Sequence, residues 1–152
     1  MNTRKLTIIM AEDDDGHATL IRRNLERTRL DAAVHRLRNG QEVLDYLTNR
    51  PDQTEAGQAT LVLLDISMPK VDGIEVLRRI KADSATRAIP VYMLTTTDNP
   101  LEIERCFELG CNAYVTKPIA YAAFIEAIQR LCGFLEITQL PGTAATSQNV
   151  PV

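Results

Sequence analysis

Leu61-Val62-Leu63-Leu64-Asp65-Ile66-Ser67-Met68-Pro69 is the stretch from which the architecture can be read. Four apolar residues follow one another without alternation, as they do in a strand covered on both faces at the centre of a parallel sheet. Around this strand, short apolar segments alternate with amphipathic ones, the rhythm of a parallel sheet with helices on both sides. Upstream, Leu6–Ala11 reads as the first strand. Asp14 or Asp15 caps a first helix whose inward stripe is Ala18, Ile21 and Leu25. Val34–Leu37 is a weaker second strand. Asn39-Gly40-Gln41-Glu42 reads as a capping box opening a second helix through Val43, Leu44 and Leu47. Downstream, a third helix starts near Gly73 with Ile74, Leu77 and Ile80 inside, and Ile89–Leu94 is a fourth strand. Asn99-Pro100-Leu101-Glu102 opens a fourth helix that closes at Gly110. Ala113–Thr116 is a fifth strand. A fifth helix spans about Tyr121–Leu135, with Phe124, Ile125, Ile128, Leu131 and Leu135 apolar. The predicted order is (βα)5, an α/β, doubly wound sandwich on a central five-stranded parallel sheet.

Bulk properties agree with one such domain. The chain has 152 residues, of which 45% are hydrophobic and 24% charged, enough for a proper core. A net charge of −3 and a pI near 5.4 give it no global attraction to nucleic acid or to an anionic membrane. The basic N-terminus leads into an apolar run too short for a signal peptide, and nothing approaches the ~20 apolar residues of a membrane span. Cys106, Cys111 and Cys132 have no metal-ligand spacing and read as reduced, buried thiols of a cytoplasmic protein. His17 and His35 read as surface residues. Asn49–Ala59 is a long polar connection, and Thr138–Val152 an uncharged tail that orders only if something binds it.

In a doubly wound sheet, ligands sit at the carboxyl ends of the strands, where strand order reverses. The residues just past the strands give one chemical picture. Strand one delivers Glu12 and Asp13, strand three Asp65, strand four Thr95, and strand five Lys117-Pro118. Each piece alone has a plainer explanation: a solvated helix start, a turn cap, a strand-end hydroxyl. Tyr114, on an edge strand, would by itself be packing. Their joint placement argues for chemistry. Carboxylates that converge repel and raise one another's pKa unless a cation joins them. Mg²⁺ fits, because it takes few carboxylates and keeps waters and phosphate oxygens. Asp65 then becomes a nucleophile toward a phosphoryl group, whose charge the metal and Lys117 neutralise.

Glu12-Asp13, Leu64-Asp65-Ile66-Ser67-Met68-Pro69 with Asp72-Gly73, Leu94-Thr95 and Tyr114-Val115-Thr116-Lys117-Pro118 together resemble the CheY-like receiver domains of two-component systems, with their flavodoxin/CheY-like fold. The resemblance runs from about Thr7 to Leu135 and sets a receiver domain at 1–137, followed by the 138–152 tail. It implies that Asp65 is the phosphoacceptor. Asp13 and the backbone carbonyl of Ser67 join Asp65 on Mg²⁺, with Glu12 acting mainly through water. Thr95 and Tyr114 form a switch pair, Lys117 contacts the phosphoryl group, and the Lys117–Pro118 peptide is cis. Leu94-Thr95-Thr96, the long connection before strand three and Phe134-Leu135-Glu136-Ile137 are similar to the small regulators paired with bacterial and cyanobacterial phytochromes. Thr96 departs from the smaller Ala or Ser of most receivers and could narrow access to the phosphoryl group. Ser67 and Thr97 stand where dephosphorylation rate is set in the family.

The implied function is a response regulator phosphorylated by a sensor histidine kinase, a phytochrome kinase in the narrower likeness, acting on nothing but its own aspartyl phosphate. The implied output is a change in the face made by helix four, strand five and helix five. A haloacid-dehalogenase-type phosphatase also uses an aspartyl nucleophile, but its second Asp would stand at Ser67. A phosphate-independent adaptor would not need the full set of site residues. DNA binding is not expected, since no helix-turn-helix comes after helix five. Phe134, Leu135, Ile137 and Leu140 continue the apolar pattern past Gly133, which leads to the expectation of a homodimer on that same face.

Overall fold

A parallel sheet requires the chain to be carried back across it between strands, and here each crossover is a helix. The computed structural model describes residues 5–49 and 58–138. Its elements are β1 (Lys5–Ala11), α1 (Asp15–Glu26), β2 (Asp31–Leu37), α2 (Gly40–Asn49), β3 (Gln58–Leu64), α3 (Gly73–Ala82), β4 (Val91–Thr95), α4 (Pro100–Leu109), β5 (Ala113–Thr116) and α5 (Tyr121–Ile137). All strand pairs are parallel. The order is β2-β1-β3-β4-β5, so β1 lies between β2 and β3 and pairs with both along its whole length.

Alternation along the central strands splits the interior into two cores. Leu6, Ile8 and Met10 of β1, with Leu61 and Leu63 of β3, meet Ile21 and Leu25 of α1 and Phe124, Ile128 and Leu135 of α5. Ile9 and Ala11, with Val62 and Leu64, meet Val43 of α2, Val76, Leu77 and Ile80 of α3 and Cys106 of α4. Each of the large aliphatic side chains here contributes about 1.5–3 kcal/mol by leaving water. That double covering explains why Leu61–Leu64 reads as an uninterrupted apolar run. Cys106, Cys111 and Cys132 are free and buried, as expected.

Several expected boundaries move. β2 and β3 begin earlier, at Asp31 and Gln58, because exposed and polar residues extend strands by backbone pairing that hydropathy does not report. β4 is Val91–Thr95 rather than Ile89–Leu94; Pro90 offers no N–H to the ladder. Asp14, not Asp15, caps α1, accepting from His17 N at 2.9 Å. The capping box at α2 is half formed: Asn39 accepts from Glu42 N, but the Glu42 carboxylate accepts from Arg38 N instead of closing on Asn39. α4 ends where expected, with Gly110 left-handed at φ 106°. α5 runs on to Ile137; Leu135 folds into the first core, while Phe134 is half exposed and Ile137 is exposed. Residues 50–57 of the polar connection and 139–152 of the tail, including Leu140, lie outside the described residues.

The turn from β3 to α3 is packed backbone to backbone. A Cβ at Gly73 would lie 2.0 Å from the Asp65 carbonyl oxygen. Gly73 N also donates to Ile66 O at 2.9 Å. The start of α3 is thereby held against the residue that β3 delivers. Gly133, in contrast, has open space around it on α5. Two glycine substitutions are thus expected to act with opposite sign. Gly73→Ala should destabilise by about 1–3 kcal/mol through overpacking, whereas Gly133→Ala should stabilise by about 0.5–1 kcal/mol through helix propensity. Urea unfolding of the two variants checks this; equal midpoints would contradict the tight β3–α3 junction.

Candidate functional site

Strand order reverses between β1 and β3, and the residues after those two strands share one crevice at the carboxyl edge of the sheet. Asp65 N donates to Ala11 O at 3.2 Å, which ties the two strand ends together. One carboxylate oxygen from each of Glu12, Asp13 and Asp65 lies within 4.8 Å of the others. Glu12 and Asp65 are buried and Asp13 is exposed. The remaining acids of the run serve elsewhere. Asp14 caps α1, and the hydrogen bond from His17 N holds its carboxyl below the ordinary carboxylate range. Asp15 accepts from Arg36 and Arg38, each at 2.7 Å, and these bonds lower its pKa too.

Lys117 enters from the end of β5 and is 2% exposed. Its Nζ donates to Glu12 Oε1 and, at 3.3 Å, to Asp65 Oδ2. Its backbone N–H donates to Thr95 O at 2.7 Å, anchoring the edge strand. Burial pushes the Glu12 carboxyl up to about 7, against the pull of the Lys117 charge. Both Glu12 oxygens have partners within the protein, because Oε2 accepts from Asp14 N at 3.2 Å. Asp65 Oδ1 is buried with no hydrogen-bond partner among the described residues.

His17 is no metal ligand of the acidic cluster, and it is partly buried rather than a free surface residue. Its ring packs on Phe124 at 4.8 Å, and Nδ1 lies 3.2 Å from Lys117 Nζ. Only the crossing of α1 with α5 brings them together, across a hundred residues of chain. His35, the other histidine, is exposed beside Tyr46. A second groove residue that spacing could not assign is Arg36, whose Nε donates to the Glu12 carbonyl at 2.8 Å.

Thr95 is fully buried at the end of β4, and Tyr114 is partly buried on β5. They are joined through the loop after β4. Tyr114 Oη donates to Thr97 O at 2.6 Å, and Thr97 N lies 3.5 Å from Thr95 Oγ1. Burial, with Cys106 and Glu102 nearby, holds the Tyr114 phenol up at about 12, so it remains a donor. Ser67 and Thr96 are exposed at the mouth of the crevice. The turn after Asp65 is closed by bonds to the Ile66 carbonyl from Met68 N and Gly73 N, so the Ser67 carbonyl is not spent on it. No peptide is cis among the described residues; the Lys117–Pro118 bond is trans, against the expectation from resemblance.

The donors are all hard oxygens, and the buried Asp65 Oδ1 lacks a partner, which suits a divalent cation of the Mg²⁺ class. A carboxylate with an ammonium beside it can also accept a phosphoryl group while its charge is neutralised.

The profile of the response regulator receiver domain family matches residues 8–129. The chain is similar to a response regulator receiver domain from Rhodospirillum rubrum, at 42% identity and a TM-score of 0.81, over 90% of this chain and 98% of that one. It is similar to the Mn²⁺-bound form of response regulator Rcp1, at 31% identity and a TM-score of 0.81, over 89% of this chain and 98% of that one. The Rcp1 relative comes from Synechocystis. The phosphorylated cyanobacterial phytochrome response regulator RcpA is similar at 32% identity and a TM-score of 0.79, over 89% and 97%.

The elevated Glu12 pKa has a consequence for stability. The folded protein holds this proton more tightly than the unfolded chain, whose glutamate titrates near 4.5. In chelator, the contribution is complete below that value and is lost as pH rises through about 7. Wild type is expected to lose stability relative to Glu12→Gln across that window, read from urea midpoints. Parallel pH profiles would show that Glu12 is charged throughout.

Proposed function

The chain belongs to the response regulator receiver domain family, and from that premise we propose that it is a phosphoacceptor of two-component signalling, receiving a phosphoryl group on Asp65 from a sensor histidine kinase in a Mg²⁺-dependent reaction. The observation that carries this reading is the buried Asp65 carboxylate, clustered with Asp13 and Glu12, with one oxygen on Lys117 and the other without a hydrogen-bond partner among the described residues. Asp13, Asp65 and the Ser67 backbone carbonyl hold the cation, with Glu12 behind them. Bound Mg²⁺ supplies neutralising charge for the phosphoryl oxygens.

The reaction can be written from the residues. An Asp65 oxygen attacks phosphorus in line and forms a P–O bond as the P–N bond to the donor's imidazole breaks. The imidazole nitrogen keeps the electron pair and takes up a proton. Lys117, already directed at Asp65, follows the charge onto the phosphoryl group, and the Thr95 hydroxyl turns to donate to it. Because Thr97 bridges Thr95 to Tyr114, that turn reaches the face made by α4, β5 and α5, shifting a population of two arrangements. The likeness to RcpA, a phytochrome response regulator, supports a phytochrome kinase as donor. The receiver domain occupies 1–137, and a kinase partner using ATP puts it in the cytoplasm. Among the described residues no helix is long and apolar enough to cross a membrane.

The output face also supports self-association. Among the described residues, Leu101 and Phe107 on α4, Ile119 just before α5, Tyr121 at its start, and Phe134 and Ile137 at its end are the large apolar residues left exposed. A twofold contact through α4, β5 and α5 would cover part of this apolar surface.

Two outcomes are expected. Asp65→Asn should fold and lose acid-labile phosphorylation by a kinase or a small phosphodonor, because an amide cannot attack phosphorus; labelling at the wild-type level would refute the assignment. In sedimentation at tens of micromolar, the full chain should run as a dimer and the Phe134→Ser, Ile137→Ser double variant, which spares the buried Leu135, as a monomer, whereas a monomeric full chain would end the dimer reading.

A further inference from the structure

Arg36 lies at the end of β2, away from the carboxylates of the cation site, yet it holds the loop that carries two of them. Its Nε donates to the Glu12 carbonyl at 2.8 Å and its Nη1 to Asp15 Oδ1 at 2.7 Å. Glu12 N in turn donates to Leu37 O at 3.0 Å. The Glu12 backbone is therefore fastened to β2 on both sides, and the exposed Asp13 projects from a peptide that cannot rotate freely. The arrangement is poor as a stabilising ion pair. Asp15 is 75% exposed, and pairs of that kind contribute little because water screens them. The Arg36 side chain is drawn down to 13% exposure, and its Nη2 is buried without a hydrogen-bond partner among the described residues. An orphaned buried donor costs more than an exposed pair returns. What the guanidinium secures for that cost is the geometry of the loop.

We propose that Arg36 is a positioning residue for the cation site: by clamping the loop at the Glu12 carbonyl and at Asp15, it sets the direction in which Asp13 offers its carboxylate. This inference rests on the reading that Glu12, Asp13 and Asp65 hold a divalent cation. Only arginine can make the clamp, because its planar fork reaches two acceptors at once where an ammonium is a single point of charge. The charge contribution of Arg36 has the opposite sign to its geometric one. A cation beside a cation site repels the metal, so removing the charge alone would tighten binding. Arg38 is the natural control. It shares Asp15 Oδ1 at 2.7 Å, carries the same charge and does not touch Glu12.

The test is titration of the chain with Mg²⁺ alone, monitored by calorimetry and by amide shifts in residues 12–15 and 65–67. Arg36→Met keeps the apolar stem and is expected to raise the Kd about tenfold, the usual scale for losing a group that orients a ligand. Arg36→Lys keeps the charge and should weaken binding as well. Arg38→Met should leave the Kd unchanged or lower it. Melting in chelator separates a merely structural role, which would lower the melting temperature of Arg36→Met without changing the Kd of the folded protein. If wild type binds and Arg36→Met binds as tightly or more tightly, the positioning role is overturned. Should Arg36→Met fail to fold, Arg36→Lys decides, and wild-type affinity in that variant overturns the two-point clamp. If wild type itself does not bind Mg²⁺, the cation reading fails first and the proposal falls with it.

Discussion

A buried ammonium between two buried carboxylates is the constraint around which this molecule is arranged. Lys117 Nζ sits between Glu12 and Asp65, and all three are almost without solvent. Removing ions from water is expensive, and a buried pair that loses one member leaves a charge whose cost is about 3–5 kcal/mol. The contact can form only if β1, β3 and β5 end at one level, which the parallel order β2-β1-β3-β4-β5 provides. β5 is short and lies at the edge of the sheet, and the Lys117 N–H to Thr95 O bond holds its end in register. Two acids near one ammonium leave a net negative site. That imbalance favours a divalent cation.

The acidic run Glu12–Asp15 shows how one composition is divided into four duties. Glu12 turns inward to Lys117, Asp13 faces the crevice, Asp14 caps α1 and Asp15 joins two arginines of β2 and its end. The helix start imposes this division. Once Asp14 is the cap, Asp15 lies on the first turn of α1 facing β2, and Asp13 is the residue left at the open edge. A run of like charges is thus tolerated because most of its members are answered by different partners.

The same edge links chemistry to the opposite face. Thr95 is buried at the end of β4, and its hydroxyl, the Thr97 backbone and the Tyr114 phenol form one short path. A displacement of the loop after β4 must therefore be felt at β5. Tyr114 packs at the margin of the second core, to which Cys106 and Leu109 of α4 also belong. The loop after β4, α4 and β5 are accordingly tied to one another by side chains at the margin of that core.

Periodicity alone determined a great deal. The uninterrupted Leu61–Leu64 run could only be a doubly covered strand, and the helical stripes through Ala18, Ile21 and Leu25 or Phe124, Ile128 and Leu131 face the first core as read. The residues just past the strands were legible as a site because a parallel sheet places all its carboxyl ends on one edge. Strand starts at Asp31 and Gln58 were not, since backbone pairing leaves no hydropathy signal. Nor could spacing say that His17 meets Lys117 and Phe124, that Glu42 reaches Arg38 rather than Asn39, or that Arg36 grips the Glu12 carbonyl. The difference is physical. Burial of apolar faces repeats along the chain and is written locally, whereas a polar contact between residues far apart in sequence depends on where helices cross and strands end, and only the folded molecule decides that.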